Sequence, residues 1–289
     1  MKKKQIVVIV AVTAIVGYLY YLPVKPLAFA GAKADERGTG QVASATQRPN
    51  TNTNTTVTVD MVSATAKTLI GAGLSAKIVA LEGQLKNASN DVDKLSLQKQ
   101  LAKKWDDVNQ PAPAAFYYQA IAREENTAEN WINAGDRFND AYKLTQDTSA
   151  QPVFDANAVE AFQNATKLKP ESLDAKTGLG IAYVNGGGPP MQGIGLLLDV
   201  VKQDPTNRKA ELNLGLFAMK SGQFEKAVQR FKTLVAQKPE VEPYFYLAES
   251  YKQLGMKNEA IDAYQKCKDM MPDRVFDQRI DQYIKELKN

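Results

Sequence analysis

Histidine is absent from all 289 residues. Its absence removes the commonest general base near neutral pH and the commonest metal-binding side chain. Cysteine occurs once, as Cys267, so no disulfide can form within the chain. Neither sign of charge is in real excess. The 36 basic and 32 acidic residues leave +4, and three of the lysines, Lys2, Lys3 and Lys4, crowd the extreme N-terminus. The remaining body is close to neutral and offers no broad basic field for nucleic acid.

Phosphate-binding loops are missing as well. Asn185-Gly186-Gly187-Gly188-Pro189-Pro190 lacks the Lys-Ser/Thr of a P-loop, and no strand pattern precedes it. Gly71-Ala72-Gly73, followed by Lys77, fails the same comparison. The carboxylate pair Asp106-Asp107 reads as a solvated helix face. No spacing of residues suggests a metal site, a cofactor site or a catalytic constellation, so the sequence predicts a protein that is not an enzyme.

One long apolar run is present. It extends from Ile6 to Leu22 and is interrupted only by Thr13 and Gly17. As a helix at ~1.5 Å per residue, Ile6 to Val24 spans ~28 Å, close to the ~30 Å of a bilayer's hydrocarbon core. Tyr18, Tyr20 and Tyr21 lie at its far end, where aromatic rings favour the interface, and Pro23 ends the helix. The lysines should remain cytoplasmic and send the rest of the chain across the membrane, most simply into a bacterial periplasm. The expectation is a retained single-pass inner-membrane anchor over residues 1–24. A cleaved signal sequence is the rival, with Ala28-Phe29-Ala30 as its site. The run exceeds the usual 7–15 residues of such a sequence, and the site stands well beyond Leu22. No cysteine lies near the end of the run, which excludes a bacterial lipoprotein.

Residues 25–59 are dominated by Gly, Ala, Thr, Asn and Gln and predict a flexible linker. Residues 60–126 predict a helical region. Asp60 is its expected N-cap, followed by Leu69, Leu74, Ile78, Leu81 and Leu85 at helical spacing. Gly71 and Gly73 make this segment either a kinked helix or a short hairpin. A second helix carries Leu95, Leu97, Leu101 and Trp105, with Pro111 and Pro113 expected to close it. Ala114, Tyr118 and Ile121 then begin a degenerate repeat.

The rest of the chain is organised by repetition. Leu214-Gly215 is answered by Leu247-Ala248, Gly222 by Gly255, Ala227 by Ala260, Phe231 by Tyr264 and Pro239 by Pro272. Each pair is 33 residues apart. A small residue, an aromatic and a closing proline at constant offsets mark an array of like units. Trp131, Ala134-Gly135, Phe138, Ala158, Phe162 and Pro170 form an earlier unit. Its halves stand farther apart: Gly135 to Ala158 is 23 residues, against 12 for Gly215 to Ala227. The surplus must lengthen the helices or project as a loop. Leu179-Gly180, Tyr183, Gly193, Leu197, Val200 and Pro205 form the next unit. After Pro272, Asp273 can cap a final helix whose stripe is Phe276, Ile280, Tyr283, Ile284 and Leu287.

This pattern resembles the tetratricopeptide repeat (TPR) family over about residues 127–289, most specifically in its last two units. The resemblance implies an all-α solenoid of antiparallel helical hairpins over residues 127–272, closed by a capping helix at 273–289. It also implies a concave groove, lined by the first helices, that binds a protein or peptide. Carried over residue by residue, the groove would hold Ile132, Asn133, Asp136 and Asn139, then Thr177 and Ile181. It would continue with Lys209, Leu212, Asn213 and Leu216, and end with Phe245, Tyr246 and Glu249. Some chaperone-binding members carry a basic and amide clamp for a C-terminal carboxylate. Here Leu212, Leu216, Phe245 and Glu249 occupy those places, which argues against that specificity. The function expected is a membrane-anchored scaffold for other proteins. The alternative is an accessory or assembly subunit of a membrane-bound machine, of the cytochrome-maturation or protein-translocation type.

Overall fold

Thirteen α-helices and no strand make up residues 57–288, the part of the chain that this computed structural model describes. They belong to one unit, Thr56–Asn289. The anchor expected at 1–24, and the linker as far as residue 56, lie outside the described residues; the last position of the expected linker, Val59, already opens the first helix. No described helix is long and apolar enough to cross a membrane.

The first four helices are α1 (Val59–Leu69), α2 (Ala72–Asn87), α3 (Asp91–Asp107) and α4 (Pro111–Glu125). Three local signals differ from expectation. The cap of α1 is Thr58, whose hydroxyl accepts from Met61 N at 3.3 Å, while Asp60 sits in the first turn, where its charge suits the helix dipole. Pro111 does not close α3 but opens α4, at the position whose N–H has no helical partner anyway. The chain turns between them at Asn109, whose φ is 54°. Asp106 is not a solvated acid either. Its carboxylate takes a fork from Arg137, Nε at 2.6 Å and Nη2 at 3.0 Å, and accepts from the Tyr118 hydroxyl at 2.8 Å. The Gly71–Gly73 stretch resolves as a break at Ile70–Gly71 between two helices. Lys67 and Ser63 of α1 are tied across that break to Glu82 of α2.

The regular array follows as hairpins. They are α5 (Ala128–Leu144) with α6 (Gln151–Leu168), α7 (Leu173–Ala182) with α8 (Pro190–Gln203), α9 (Arg208–Lys220) with α10 (Phe224–Gln237), and α11 (Val241–Gln253) with α12 (Lys257–Met270). Thr127, Ser172 and Asn207 cap the first helices of three of them by accepting backbone N–H groups. The surplus in the first hairpin lengthens its helices, 17 and 18 residues against 13 and 14 in α9 and α10. Gly222 and Gly255 turn the last two hairpins, each with φ of 73°, a conformation that favours glycine.

Close packing explains the small residues. A Cβ on Gly135 would lie 2.7 Å from the Phe162 ring, and one on Gly178 only 2.1 Å from it. Phe162 thus wedges between α5 and α7. Gly215 and Phe231 repeat the arrangement, at 2.7 Å. Phe138, Phe154 and Phe162 centre one apolar cluster, and Ile181, Leu197, Val200, Ala210 and Leu214 join the next two hairpins. At the C-terminal end Asp273 caps α13 (Arg274–Lys288). Phe276, Ile280, Ile284 and Leu287 bury the one face of α13 that would otherwise leave the last hairpin open.

Candidate functional site

One face of the array is built from the first helices. α5 touches α7, α7 touches α9, and α9 touches α11. Two ion pairs show how strongly this face curves. Lys209 Nζ of α9 reaches Asp136 Oδ1 of α5 at 2.5 Å, passing over α7. Lys143 Nζ of α5 stands 4.0 Å from Glu242 Oε1 of α11, which belongs to the last hairpin. Side chains of bonding reach can meet across that span only if the first helices face inward around a shared concavity.

The residues expected to line the groove divide into two groups. Asn133 and Lys209 are exposed, and Ile132, Asp136, Leu212, Asn213, Leu216 and Glu249 are half-buried. These keep surface that a partner could touch. Asn213 is tied to its own helix through Nδ2 and Lys209 O at 2.8 Å. The Glu249 carboxylate accepts from the Tyr264 hydroxyl and has Lys252 at 3.8 Å.

Asn139, Thr177, Ile181, Phe245 and Tyr246 are buried, so they belong to the body of the array and not to an open surface. The reasons differ. Thr177 and Ile181 lie on α7, the short helix beneath the Lys209–Asp136 pair. Asn139 donates from Nδ2 to Gly178 O at 3.1 Å and stitches α5 to α7. Phe245 and Tyr246 enter an aromatic cluster. Tyr246 stacks on Phe231 at 5.6 Å, and Phe245 meets the rings of Tyr246, Tyr264 and Tyr283 within 6.1 Å. Tyr283 comes from the capping helix and stacks on Tyr264, with Lys252 Nζ 5.5 Å from its ring centroid.

Several inner-face residues escaped the sequence reading. Asp140 follows Asp136 by four residues and Lys143 follows Asp140 by three, so helical spacing alone put them on the same face. Asp140 is half-exposed, at 52%, yet loss of surrounding water raises its carboxyl above the ordinary range, and the charge of Asp136 adds to the rise. Arg137, Lys209 and Lys143 act in the opposite direction. Its direct cation, Arg137 Nη1 at 3.4 Å, is already committed to Asp106. Among the described residues no group of histidine, cysteine, aspartate and glutamate side chains could hold a metal ion.

The tetratricopeptide repeat family model matches residues 244–273, which run from α11 into the start of the capping segment. No curated protein matches the chain significantly. Among solved structures, a thermophilic TPR protein of Thermus thermophilus is similar, with a TM-score of 0.53 and 20% identity, over 65% of this chain and 97% of that one. The MamA protein of Desulfovibrio magneticus RS-1, residues 41 to its end, gives a TM-score of 0.45 and 21% identity, over 63% and 96%. YrrB, described as a TPR protein with an unusual peptide-binding site, gives 0.42 and 17%, over 64% and 91%. The chain carries a tetratricopeptide repeat, and its helical unit resembles a TPR solenoid.

Proposed function

We propose that this chain is a membrane-held scaffold that recruits other proteins to the inner face of its helical array and catalyses no reaction of its own. The observation that carries this reading is the convergence of four first helices on one curved face. That face keeps Leu212 and Leu216 half-buried, beside the exposed Lys209 and Asn133. Apolar side chains left partly uncovered among polar ones are the usual anchors of a protein interface.

The membrane part of the proposal rests on the sequence of residues 1–24, with Lys2, Lys3 and Lys4 before the apolar run. The array would then face the periplasm. The purified full chain, immobilised and exposed to solubilised membranes, should retain a defined set of proteins. Leu212→Glu with Leu216→Glu should lose that set, while Lys232→Glu on α10 keeps it. Protease added to intact spheroplasts should degrade the repeats, whereas full protection would refute the topology.

A further inference from the structure

The outward side of α2 lacks the charges that a solvent-facing helix normally carries there. Ile78, Leu81 and Leu85 turn inward and pack with Leu101 and Trp105. On the opposite side Ala72, Ala76, Val79, Ala80 and Gly83 are exposed, with no charged side chain among them. Val79 is 52% exposed, and a Cβ on Gly83 would meet nothing within 4 Å. This face runs into a groove of about 620 Å³ between α2 and α3, lined by Ala80, Gly83 and Asn87 of α2 and by Asp93, Leu97 and Gln100 of α3. The last hairpin has its open face covered by α13, whereas among the described residues nothing buries this one.

The two ends of the groove differ in charge. Asp93 marks the end where α2 turns into α3. Its carboxylate accepts from Asn90 Nδ2 at 2.7 Å and enters no ion pair among the described residues, while the adjacent Lys94 is held by Asp91 at 3.1 Å. Lys77 marks the other end. It precedes Gln84, which also lines the groove, by seven residues, two turns along the same edge of α2. Lys77 is exposed and has no ion pair among the described residues, and Lys104, toward the same end of α3, stands 3.9 Å from Asp107. A groove acidic at one end and basic at the other is complementary to itself when reversed. Two copies set antiparallel about a two-fold axis near Ala80 bring the lysine of each to the aspartate of the other.

We infer that a second copy of this chain docks here, α2 against α2, in a two-fold pair that places Lys77 of each copy beside Asp93 of the other. The inference goes beyond the scaffold reading and uses none of its residues. Alanine and glycine on the shared face let the two helices approach closely. At 16 residues α2 is ~24 Å long, so the pairing buries on the order of 500 Å² per copy, the low end for a specific contact. The pair is therefore weak in dilute solution.

The test is crosslinking of the purified full chain in mild detergent, with a short bismaleimide and one introduced cysteine. Cys267 is buried and does not compete. Ala80→Cys, near the axis, should give a crosslinked pair, and Lys232→Cys on α10 should not. In the Ala80→Cys background, Lys77→Glu and Asp93→Lys should each lower the yield about tenfold at limiting concentration, because each turns two attractions into two repulsions. Mixing these two variants should restore the yield, since every contact between positions 77 and 93 then joins opposite charges again. Circular dichroism should show all variants folded. A yield that ignores both substitutions, or a mixture that stays as low as its parts, would overturn the inference. So would equal yields from Ala80→Cys and Lys232→Cys, or no crosslinked pair from the folded Ala80→Cys protein. Protection of the Ala80→Cys thiol by lipid vesicles, without a crosslinked pair, would give the face to the membrane instead.

Discussion

Tyr246 stacks on Phe231 across the boundary between the last two hairpins, with ring centroids 5.6 Å apart and planes 27° from parallel. Both rings are buried, so this pair holds one repeat on the next. It also separates packing from recognition, because repeat register alone places Tyr246 at the inner face. Tyr246→Ala should cost ~3–5 kcal/mol of stability, through the cavity left and the stacking lost. A thermal melt checks this. An unchanged midpoint with weakened partner binding would return Tyr246 to the surface.

Glycines in this array fall into two kinds, and substitution should tell them apart. Gly178 and Gly215 face phenylalanine rings at distances no Cβ tolerates. Gly178→Ala and Gly215→Leu should each cost ~1–3 kcal/mol by overpacking. Gly83 lies mid-helix in α2 and a Cβ there would meet nothing within 4 Å. Gly83→Ala should stabilise by ~0.5–1 kcal/mol, since it gains only helix propensity. Urea melts of the three variants should diverge in sign.

Asp155 gives the fold a pH dependence. It is 3% exposed, one oxygen has no hydrogen-bond partner, and burial raises its carboxyl from 3.8 to about 7, against the pull of Lys220. The unfolded chain therefore releases this proton at lower pH than the folded one. Between pH 4 and pH 7 the folded state holds more protons, so stability falls as pH rises and the loss is complete above pH 7. Asp155→Asn should flatten that slope and stabilise the protein at pH 8 by as much as ~4 kcal/mol. Denaturant midpoints measured from pH 4 to pH 8 on both proteins decide the matter. An identical slope in the variant would show that Asp155 is hydrated.

Cys267 should be silent in the native state. Its thiol is fully buried, contacts Val241 O at 3.6 Å and is pushed up to about 12 by burial. The nucleophile is the thiolate, so alkylation at pH 8 should be negligible until the last hairpin opens. Ellman's reagent should register one thiol in urea and none without it.

Much of this architecture could be read from spacing. The 33-residue interval set which helices pair, and glycine at 222 and 255 located two turns whose φ is positive. Openness was not legible, because it depends on curvature, a property of the whole array. Lys209 meets Asp136 73 residues away, and nothing in either local sequence announces that meeting. The same holds for Phe245, which is covered by Tyr283 of the capping helix. Helix boundaries erred where two residues compete for one role, as Thr58 and Asp60 do at the start of α1. Pro111 was misread for a related reason. A proline marks a boundary without saying whether the helix before it ends or the helix after it begins.

The central claim is that partners dock on the inner face. The most direct measurement is photocrosslinking in living cells, with p-benzoylphenylalanine placed singly at Leu212, Leu216 and Met219 on α9, and at Gln229 and Lys232 on α10. The account predicts protein adducts from the α9 positions and none from the α10 positions. Equal adducts from both helices, or adducts from α10 alone, would contradict it.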